Sequence, residues 1–368
     1  MIWILLALAY AAAAYQIVTI AAALSHLRHR SVAQNAAFGV SILKPVHGSD
    51  PGFYEAIRSH AALAFGDFEI LFGIAEADDG ARAGIERLMA EFPDVPIRVL
   101  VCPTKAPNRK AGVLIDLERE ARYPVLVVND ADIWVPPAYL TEVTAPLMDP
   151  TVGLVTCLYR AEVSDWPSRF EALAIATEFA PSVLVAPLFG VSEFGLGSTL
   201  AFRRQDLSAI GGFAAIADYL ADDYQLGRRL HQLGRRNVLS PVVVSTRMAA
   251  GSWRGAWRHQ IRWARTVRLS RAGGYAGLPI TFATLWAIAA ACAGLWWTAL
   301  AVLLIRLAMA VSCGWFVLRS ADVWKYMYAI PLRDLWGVAI WAAGLFGNTV
   351  EWRGRKLALD KQGRIVNV

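Results

Sequence analysis

Asp130 and Asp132 are separated by one residue and follow the apolar run Pro124-Val125-Leu126-Val127-Val128. A short continuous apolar run reads as a strand buried on both faces. Two carboxylates at i and i+2 beyond such a strand suit a hard divalent cation shared with the phosphates of a nucleotide. The same pattern also fits a turn with two solvated acids, so the pair takes its meaning from its neighbours. Three further sets stand at comparable places. Asp78-Asp79 follows the apolar run Phe68 to Ala75, and Asp222-Asp223 opens a helical stretch. His259-Gln260-Ile261-Arg262-Trp263 lies on an amphipathic segment just before an apolar one.

The elements that must position these residues alternate. Val40 to Pro45, Phe68 to Ala75, Ile97 to Val101 and the Val125 run read as strands. Gly52 to Ala64, Ala81 to Glu91 and a stretch from the basic loop Lys105–Lys110 to Arg119 read as helices between them. Such alternation gives βαβ units and a doubly wound α/β sheet. Ligands of these sheets bind beyond the carboxyl ends of the strands, where Asp79, Asp130 and Asp132 fall. Further on, a helix is expected from Pro136-Pro137 to Met148, strands at Val152 to Leu158, Thr199 to Phe202 and Val238 to Ser245, and a helix from Tyr224 to Leu233.

With 56% hydrophobic residues and 14 Trp among 368, the chain is more apolar than a soluble domain, whose usual share is about 45–50%. Ile2 to Leu24 is long enough to span a bilayer core of about 20 apolar residues. Positive charge follows it instead of preceding it, which favours an uncleaved anchor with Arg28 and Arg30 on the cytoplasmic side. Pro279 to Ile305 and Leu307 to Leu318, broken by Gly294 and Arg306, can make two spans in a hairpin, with Arg306 facing other protein or snorkelling. The basic tail from Glu351 is expected in the cytoplasm. That requires an even number of crossings after the catalytic domain, so Leu335 to Phe346 is either re-entrant or an exception to the charge rule. Ser252 to Arg271 carries Trp253, Trp257, Ile261, Ala264 and Val267 on one stripe, and Arg254, Arg258, Arg262, Arg265 and Arg268 on another. This suits a helix lying in the membrane interface; an ordinary surface helix packed on the sheet is the alternative. The net charge of +6 is concentrated here and points to an anionic membrane surface or a phosphate ligand. No nucleic-acid signature is present. Cys102, Cys157, Cys292 and Cys313 show no metal-ligand spacing.

In this order the four sets resemble the D, D(xD), D, (Q/R)xxRW pattern of membrane-embedded, inverting GT-A glycosyltransferases. More closely, the chain resembles the ceramide glucosyltransferase family, which includes bacterial enzymes acting on hopanoids. The resemblance runs from about Val40 to Arg271, with support at Leu43-Lys44-Pro45, Asn108-Arg109-Lys110, Gly197-Ser198 and Tyr219–Tyr224. Two positions depart from it. His259 stands where the motif has Gln or Arg. Asp132 is an acid that animal sphingolipid enzymes lack, which leaves the acceptor open between ceramide and hopanoid.

The resemblance implies a GT-A (Rossmann-like) nucleotide-sugar domain with membrane helices at both ends and an interfacial helix. The expected boundaries are an anchor at 1–27, a cytoplasmic catalytic domain at 38–250 and an amphipathic helix at 252–272. A membrane region at 279–350 and a basic cytoplasmic tail at 351–368 follow. It implies that Asp79 contacts the uridine, and that Asp130 and Asp132 hold Mg²⁺ or Mn²⁺ against the diphosphate. Asp223 would be the general base, Arg262 the residue that stabilises the leaving diphosphate, and Trp263 the floor of the acceptor site. Lys44, Asn108, Lys110 and His259 are further candidates for nucleotide-sugar contacts. Each has a plainer reading: Asp79 and Asp223 as helix caps, Arg262 as a headgroup ligand, Trp263 as an interface tryptophan. The expected reaction moves a hexose or related sugar from a UDP-sugar to the hydroxyl of a membrane lipid, ceramide or hopanoid, at the cytoplasmic face of a bacterial inner membrane. A polyprenyl-phosphate sugar transferase, a processive polysaccharide synthase and a membrane-anchored sugar-nucleotide-binding scaffold are the alternatives.

Overall fold

A computed structural model of the chain describes residues 2–28, 38–248 and 251–367. Arg30, assigned above to the cytoplasmic flank, lies outside the described residues. The Val125 run forms β4 (Val125–Val128), and all four of its residues are buried. It stands inside an eight-stranded sheet of order β3-β2-β1-β4-β7-β6-β8-β5. The strands are β1 (Val40–Val46), β2 (Phe68–Ile74), β3 (Ile97–Val101), β5 (Ile133–Trp134), β6 (Val152–Val163), β7 (Leu200–Arg203) and β8 (Arg236–Met248). The β3-β2-β1-β4 half is parallel, whereas β7 pairs antiparallel with both β4 and β6.

Period-2 alternation explains why these strands read as apolar throughout. Ile42, Ile70 and Val127 face one side, against α2 (Phe53–Ala61), α3 (Arg82–Glu91) and Tyr139, Leu140 and Val143 of α5 (Tyr139–Thr144). Leu43, Leu71, Leu126 and Val128 face the other, against α4 (Arg109–Glu120), α8 (Arg204–Ala209) and α9 (Asp222–Gln232). Both faces are therefore covered, as a doubly wound sheet requires.

Among the described residues three helical runs are long and apolar enough to cross a membrane. One is α1 (Ile2–Arg28). The second is Trp166–Phe189, in which α6 (Trp166–Ala174) and α7 (Ala180–Val185) are joined by a wide π-helical turn. The third, Trp296–Val317, contains α13 (Trp296–Ala310). Before it, Ala272–Thr281, which begins with α11 (Ala272–Gly277), and α12 (Ala283–Cys292) form a pair bent by 50°. Of the two breaks expected in the hairpin, at Gly294 and at Arg306, only the first interrupts a helix. The break lies at Gly294, whose φ is +79°, and Arg306 stands inside α13. Arg306 is 1% exposed and holds Asp334 with two hydrogen bonds, Nε at 3.0 Å and Nη2 at 2.5 Å. After α14 (Ala321–Lys325), Asp334 sits on α15 (Ile330–Gly344). Fifteen residues reach about 22 Å at 1.5 Å each, short of a bilayer core of about 30 Å.

The helix α10 (Trp253–Ser270) begins where the sequence indicates, with Ser252 Oγ accepting from Gly255 N. Its tryptophan stripe is only partly covered by protein, with Ile261 buried and Trp253 and Val267 each 47% exposed. Trp253 and Trp257 lie 5.7 and 5.3 Å from the ring of Trp336 on α15. Its arginine stripe does not simply face headgroups either. Arg258 pairs with Glu351, and Arg268 donates to Gly347 O and Asn348 Oδ1. These contacts anchor a three-stranded sheet, β9 (Thr349–Trp352), β10 (Arg355–Leu359) and β11 (Ile365–Asn367). The segment expected to be a basic tail is therefore folded. Val350, Leu357, Leu359 and Ile365 alternate inward onto Leu220, and their burial holds the segment in place.

Candidate active site

Asn129, fully buried, fixes the loop that carries the first acid pair. Its Nδ2 donates to Tyr139 Oη (2.8 Å) and to the Ser198 carbonyl (2.7 Å). Asp130 N donates to Gly197 O across the same junction. Gly197 stands at the centre of the site. A Cβ there would lie 3.0 Å from Asp130 Oδ2, 3.3 Å from Asp223 Oδ2 and 3.6 Å from Lys110 Nζ. A side chain there would crowd the two carboxylates, and glycine leaves the three groups room to converge.

Asp223 lies in the first turn of α9, which starts at Asp222, two residues before the expected Tyr224. It does not cap the helix in the usual way. Its Oδ2 accepts from Gly197 N at 2.8 Å and its Oδ1 from Tyr224 N at 2.7 Å. Burial and the neighbouring Asp222 push its carboxyl up to about 6, against the pull of Lys110. Asp222 is held by Asn108 Nδ2 at 3.3 Å and by Lys110 Nζ at 3.3 Å.

Lys110 also meets Asp130 Oδ1 at 2.7 Å. Burial disfavours its ammonium, but Asp130, Asp222 and Asp223 outweigh that and hold its pKa above the ordinary value. Asp132 accepts from Thr246 Oγ1, and burial followed by Asp130 raises its carboxyl. The donor set is all oxygen, as a hard cation prefers. No three His, Cys, Asp or Glu among the described residues are grouped to hold a metal by themselves. A cation at Asp130 and Asp132 therefore needs ligands from a bound phosphate or water.

Two of the weaker candidates stand behind the cleft. Lys44 is 0% exposed. Its Nζ lies 3.2 Å from the Asp130 carbonyl and 3.4 Å from His60 Nε2, and burial pushes it down to about 7. It supports the acid loop from inside and is corrected as a direct nucleotide contact. Asn108 is likewise fully buried and committed. It caps α4 at Ala111 N and holds Tyr219 O and Asp222, so its place is to position, not to touch, a ligand.

Asp79 lies at another edge of the site. Its Oδ1 accepts from Gly48 N and Ala81 N, both at 2.9 Å, and its Oδ2 lies 3.4 Å from His47 Nδ1. It both caps the turn before α3 and ties down the loop after β1. On α10, burial lowers the Arg262 pKa, while Asp130 and then Glu171 favour its charge. Arg262 therefore senses the acid pocket from the α10 side, in a cleft of about 310 Å³ lined also by Arg258, Arg265, Glu351 and Lys356. Trp263 stacks 4.7 Å from His259 and 6.4 Å from Phe179. A second cleft, of about 360 Å³, is lined by α4, α8 and the Gly211–Ala214 turn, and holds none of these residues.

His259 Nδ1 pairs with Glu171, which is 1% exposed, leaving Nε2 for a ligand. Sequence reasoning passed over Glu171, although an acid in the apolar Trp166–Phe189 run, which also holds Glu178, is itself a signal. It also passed over Tyr159 of β6. Burial and then Glu171, Asp130, Asp132 and Asp223 hold the Tyr159 phenol well above its ordinary range. It remains a proton donor among carboxylates, and nothing in the alternation of β6 marks it.

The model of "Glycosyl transferase family 21" matches residues 1–365. Two Caenorhabditis elegans proteins, ceramide glucosyltransferases 3 and 1, are 27% and 25% identical over 218 residues. Those matches cover 58% of this chain and 47% and 46% of the relatives, so the chain spans about half the length of the relatives it matches. Among solved structures, a mannosyltransferase from Pyrobaculum calidifontis in complex with GDP-mannose and Mn²⁺ superposes with a TM-score of 0.57 at 21% identity. It covers 94% of this chain and 97% of its own. At that identity the likeness is one of fold, and the fold is GT-A.

Proposed function

The chain belongs to glycosyl transferase family 21, and from that membership we propose that it moves one sugar from a UDP-sugar to the hydroxyl of a ceramide-type membrane lipid, inverting the anomeric carbon. The observation that carries the reading is the convergence of Asp130, Lys110 and Asp223 on Gly197. Asp130 also favours the charge of Arg262 on α10.

The acceptor hydroxyl gives its proton to Asp223 as its oxygen attacks the anomeric carbon, and the bond from that carbon to the diphosphate oxygen breaks. A carboxylate pushed up to about 6 takes a proton more readily than an ordinary one and is still ionised near neutral pH. Direct attack by an oxygen activated in this way inverts the centre, since retention through a covalent intermediate needs a second nucleophile on the opposite face. The departing UDP carries new charge, which Arg262 meets with a planar fork suited to phosphate. Asp130 and Asp132 are the residues to hold Mg²⁺ or Mn²⁺; when bound, the ion neutralises charge on the diphosphate. Lys110 already supplies positive charge at Asp130 and is the residue that can turn to the phosphate.

Trp263, read as the floor of the acceptor site, lies 6.4 Å from Phe179 of the apolar run Trp166–Phe189. That arrangement fits a lipid acceptor at the cytoplasmic face of a bacterial inner membrane. The reading is tested by giving membranes that contain the chain labelled UDP-glucose, UDP-galactose or UDP-GlcNAc with ceramide or a hopanoid. A glycosylceramide identified by mass is expected. A glycosylated hopanoid transfers the assignment to that lipid, and soluble polymer or no product with any acceptor refutes it.

A further inference from the structure

A row of aromatic rings runs from the reaction centre to α10. Ser198, next to Gly197, donates its hydroxyl to the Cys157 carbonyl at 2.8 Å. Two residues further along β6 stands Tyr159. Its partner on β8 is Val244, two residues before the Thr246 that holds Asp132. The Tyr159 ring lies 5.4 Å from Phe179, Phe179 lies 6.4 Å from Trp263, and Trp263 lies 4.7 Å from His259. All four residues are half-buried, so each keeps part of its surface open. Trp263 is the floor of the acceptor site in the reading above, and the row extends that floor on both sides.

His259 ends the row, and a buried acid holds it. Its Nδ1 pairs with Glu171 of α6, which is 1% exposed. The other oxygen, Glu171 Oε2, is buried without a hydrogen-bond partner among the described residues. The acid is therefore committed to this one histidine. A carboxylate only accepts hydrogen bonds, so Nδ1 carries a proton, and Nε2 of the neutral ring keeps a lone pair. Nε2 is tied to no other group among the described residues. An apolar shelf ending in one hydrogen-bond acceptor suits a lipid, whose chain covers the rings and whose head group supplies a donor. It suits a diphosphate poorly, because phosphate oxygens are themselves acceptors.

We infer that the Glu171–His259 pair belongs to the acceptor site. His259 Nε2 accepts a hydrogen bond from a head-group donor other than the reacting hydroxyl, an amide N–H or a second hydroxyl. Glu171 is the positioning residue that sets the ring for it. The assignment rests on the lipid-acceptor reading above, and it moves His259 from the nucleotide-sugar side, where the resemblance puts it, to the lipid side. It gives the chain a preference for lipids that carry a second donor beside the hydroxyl that reacts.

The test is steady-state transfer by the purified full-length chain in detergent, with ceramide, its 3-O-methyl ether and its N-methyl amide as acceptors, and with UDP binding measured alongside. His259→Phe keeps a ring on Trp263 and removes the acceptor atom. Glu171→Gln keeps the buried shape, but its amide can donate to Nδ1 and so releases the tautomer. The double variant strands no buried charge. Ceramide KM should rise about tenfold in His259→Phe, as an unpaired donor on the lipid implies, and several-fold in Glu171→Gln. The double variant should lose no more than His259→Phe alone, because Glu171 acts through the ring. Donor KM and UDP affinity should stay at wild-type values, which also shows that the variants are folded. One of the two methylated ceramides should have a raised KM with the wild type and be insensitive to His259→Phe; that one identifies the donor. A fall in UDP affinity in His259→Phe puts the pair on the donor side and overturns the assignment. So do a wild-type ceramide KM in both single variants, additive losses in the double variant, and equal sensitivity of all three acceptors to His259→Phe. Glu171→Gln carries the test by itself if His259→Phe does not fold. A wild-type chain that glycosylates no lipid overturns the acceptor reading and this one together.

Discussion

Replacing Asp222 with Asn should move the acid limb of the pH–rate profile down, and replacing Lys110 with Gln should move it up. Asp223 works as a base only when ionised, so activity is lost as pH falls through its pKa. That pKa is raised from 3.8 to about 6, by burial first and Asp222 second, with Lys110 opposing. Because burial leads, one neighbouring charge carries only part of the rise. Asp222→Asn should therefore lower the limb by roughly half to one pH unit, and Lys110→Gln should raise it by a similar amount. For a limb moving from 6 to 5, the ionised fraction at pH 5 grows about fivefold. Asn at 222 keeps the shape that Asn108 holds, so geometry changes little. The assay is initial-rate transfer of labelled sugar to lipid in detergent from pH 4.5 to 8.5, at saturating donor, since Lys110 also touches Asp130. A wild-type limb near 4, or two variants that shift in the same direction, refutes the electrostatic account. The sign for folding runs the other way. A carboxyl whose folded pKa is raised stabilises the fold when protonated, and that contribution is lost as pH rises through about 6.

Arg262→Lys should lower kcat by one to two orders of magnitude with the lipid KM little changed, because a point charge replaces a planar fork; steady-state kinetics read it directly. Asp334→Ala leaves the Arg306 guanidinium buried without its partner and should cost about 3–5 kcal/mol, seen as a large fall in Tm in detergent. Gly227→Ala sets a Cβ 2.5 Å from Gly195 N and Phe194 C, both backbone. Thermal unfolding should show a loss of about 1–3 kcal/mol, together with a loss of activity through the Gly195–Gly197 loop.

Much of the catalytic sheet was legible, because β1, β2 and β4 are apolar on both faces and end in acids or turn residues. Period alone placed Asp130 and Asp132 at the strand end. It did not reveal Gly197 as their meeting point, since a close approach between loops distant in the chain leaves no local mark. Lys44 shows the opposite failure. A lysine at the end of a strand reads as solvated, but the sheet buries it under the Asp130 carbonyl. In the membrane region, Gly294 was legible as a break, but Arg306 looked like a second one because charge interrupts a hydropathy pattern. Asp334, 28 residues further on, removes that interruption in three dimensions. The C-terminal sheet was hidden by its charges. Leu357 and Leu359 alternate as a strand should, and Arg353-Gly354 and Gln362-Gly363 mark turns. The Lys and Arg residues interleaved with them mask that period-2 signal.

The most direct test of the account compares UDP binding with sugar transfer in Asp223→Asn. Its amide keeps the carboxylate's shape but cannot accept the acceptor's proton. The account predicts UDP affinity within about twofold of wild type and lipid product reduced by at least about a hundredfold. Transfer at a rate near wild type, with the same lipid product, contradicts it.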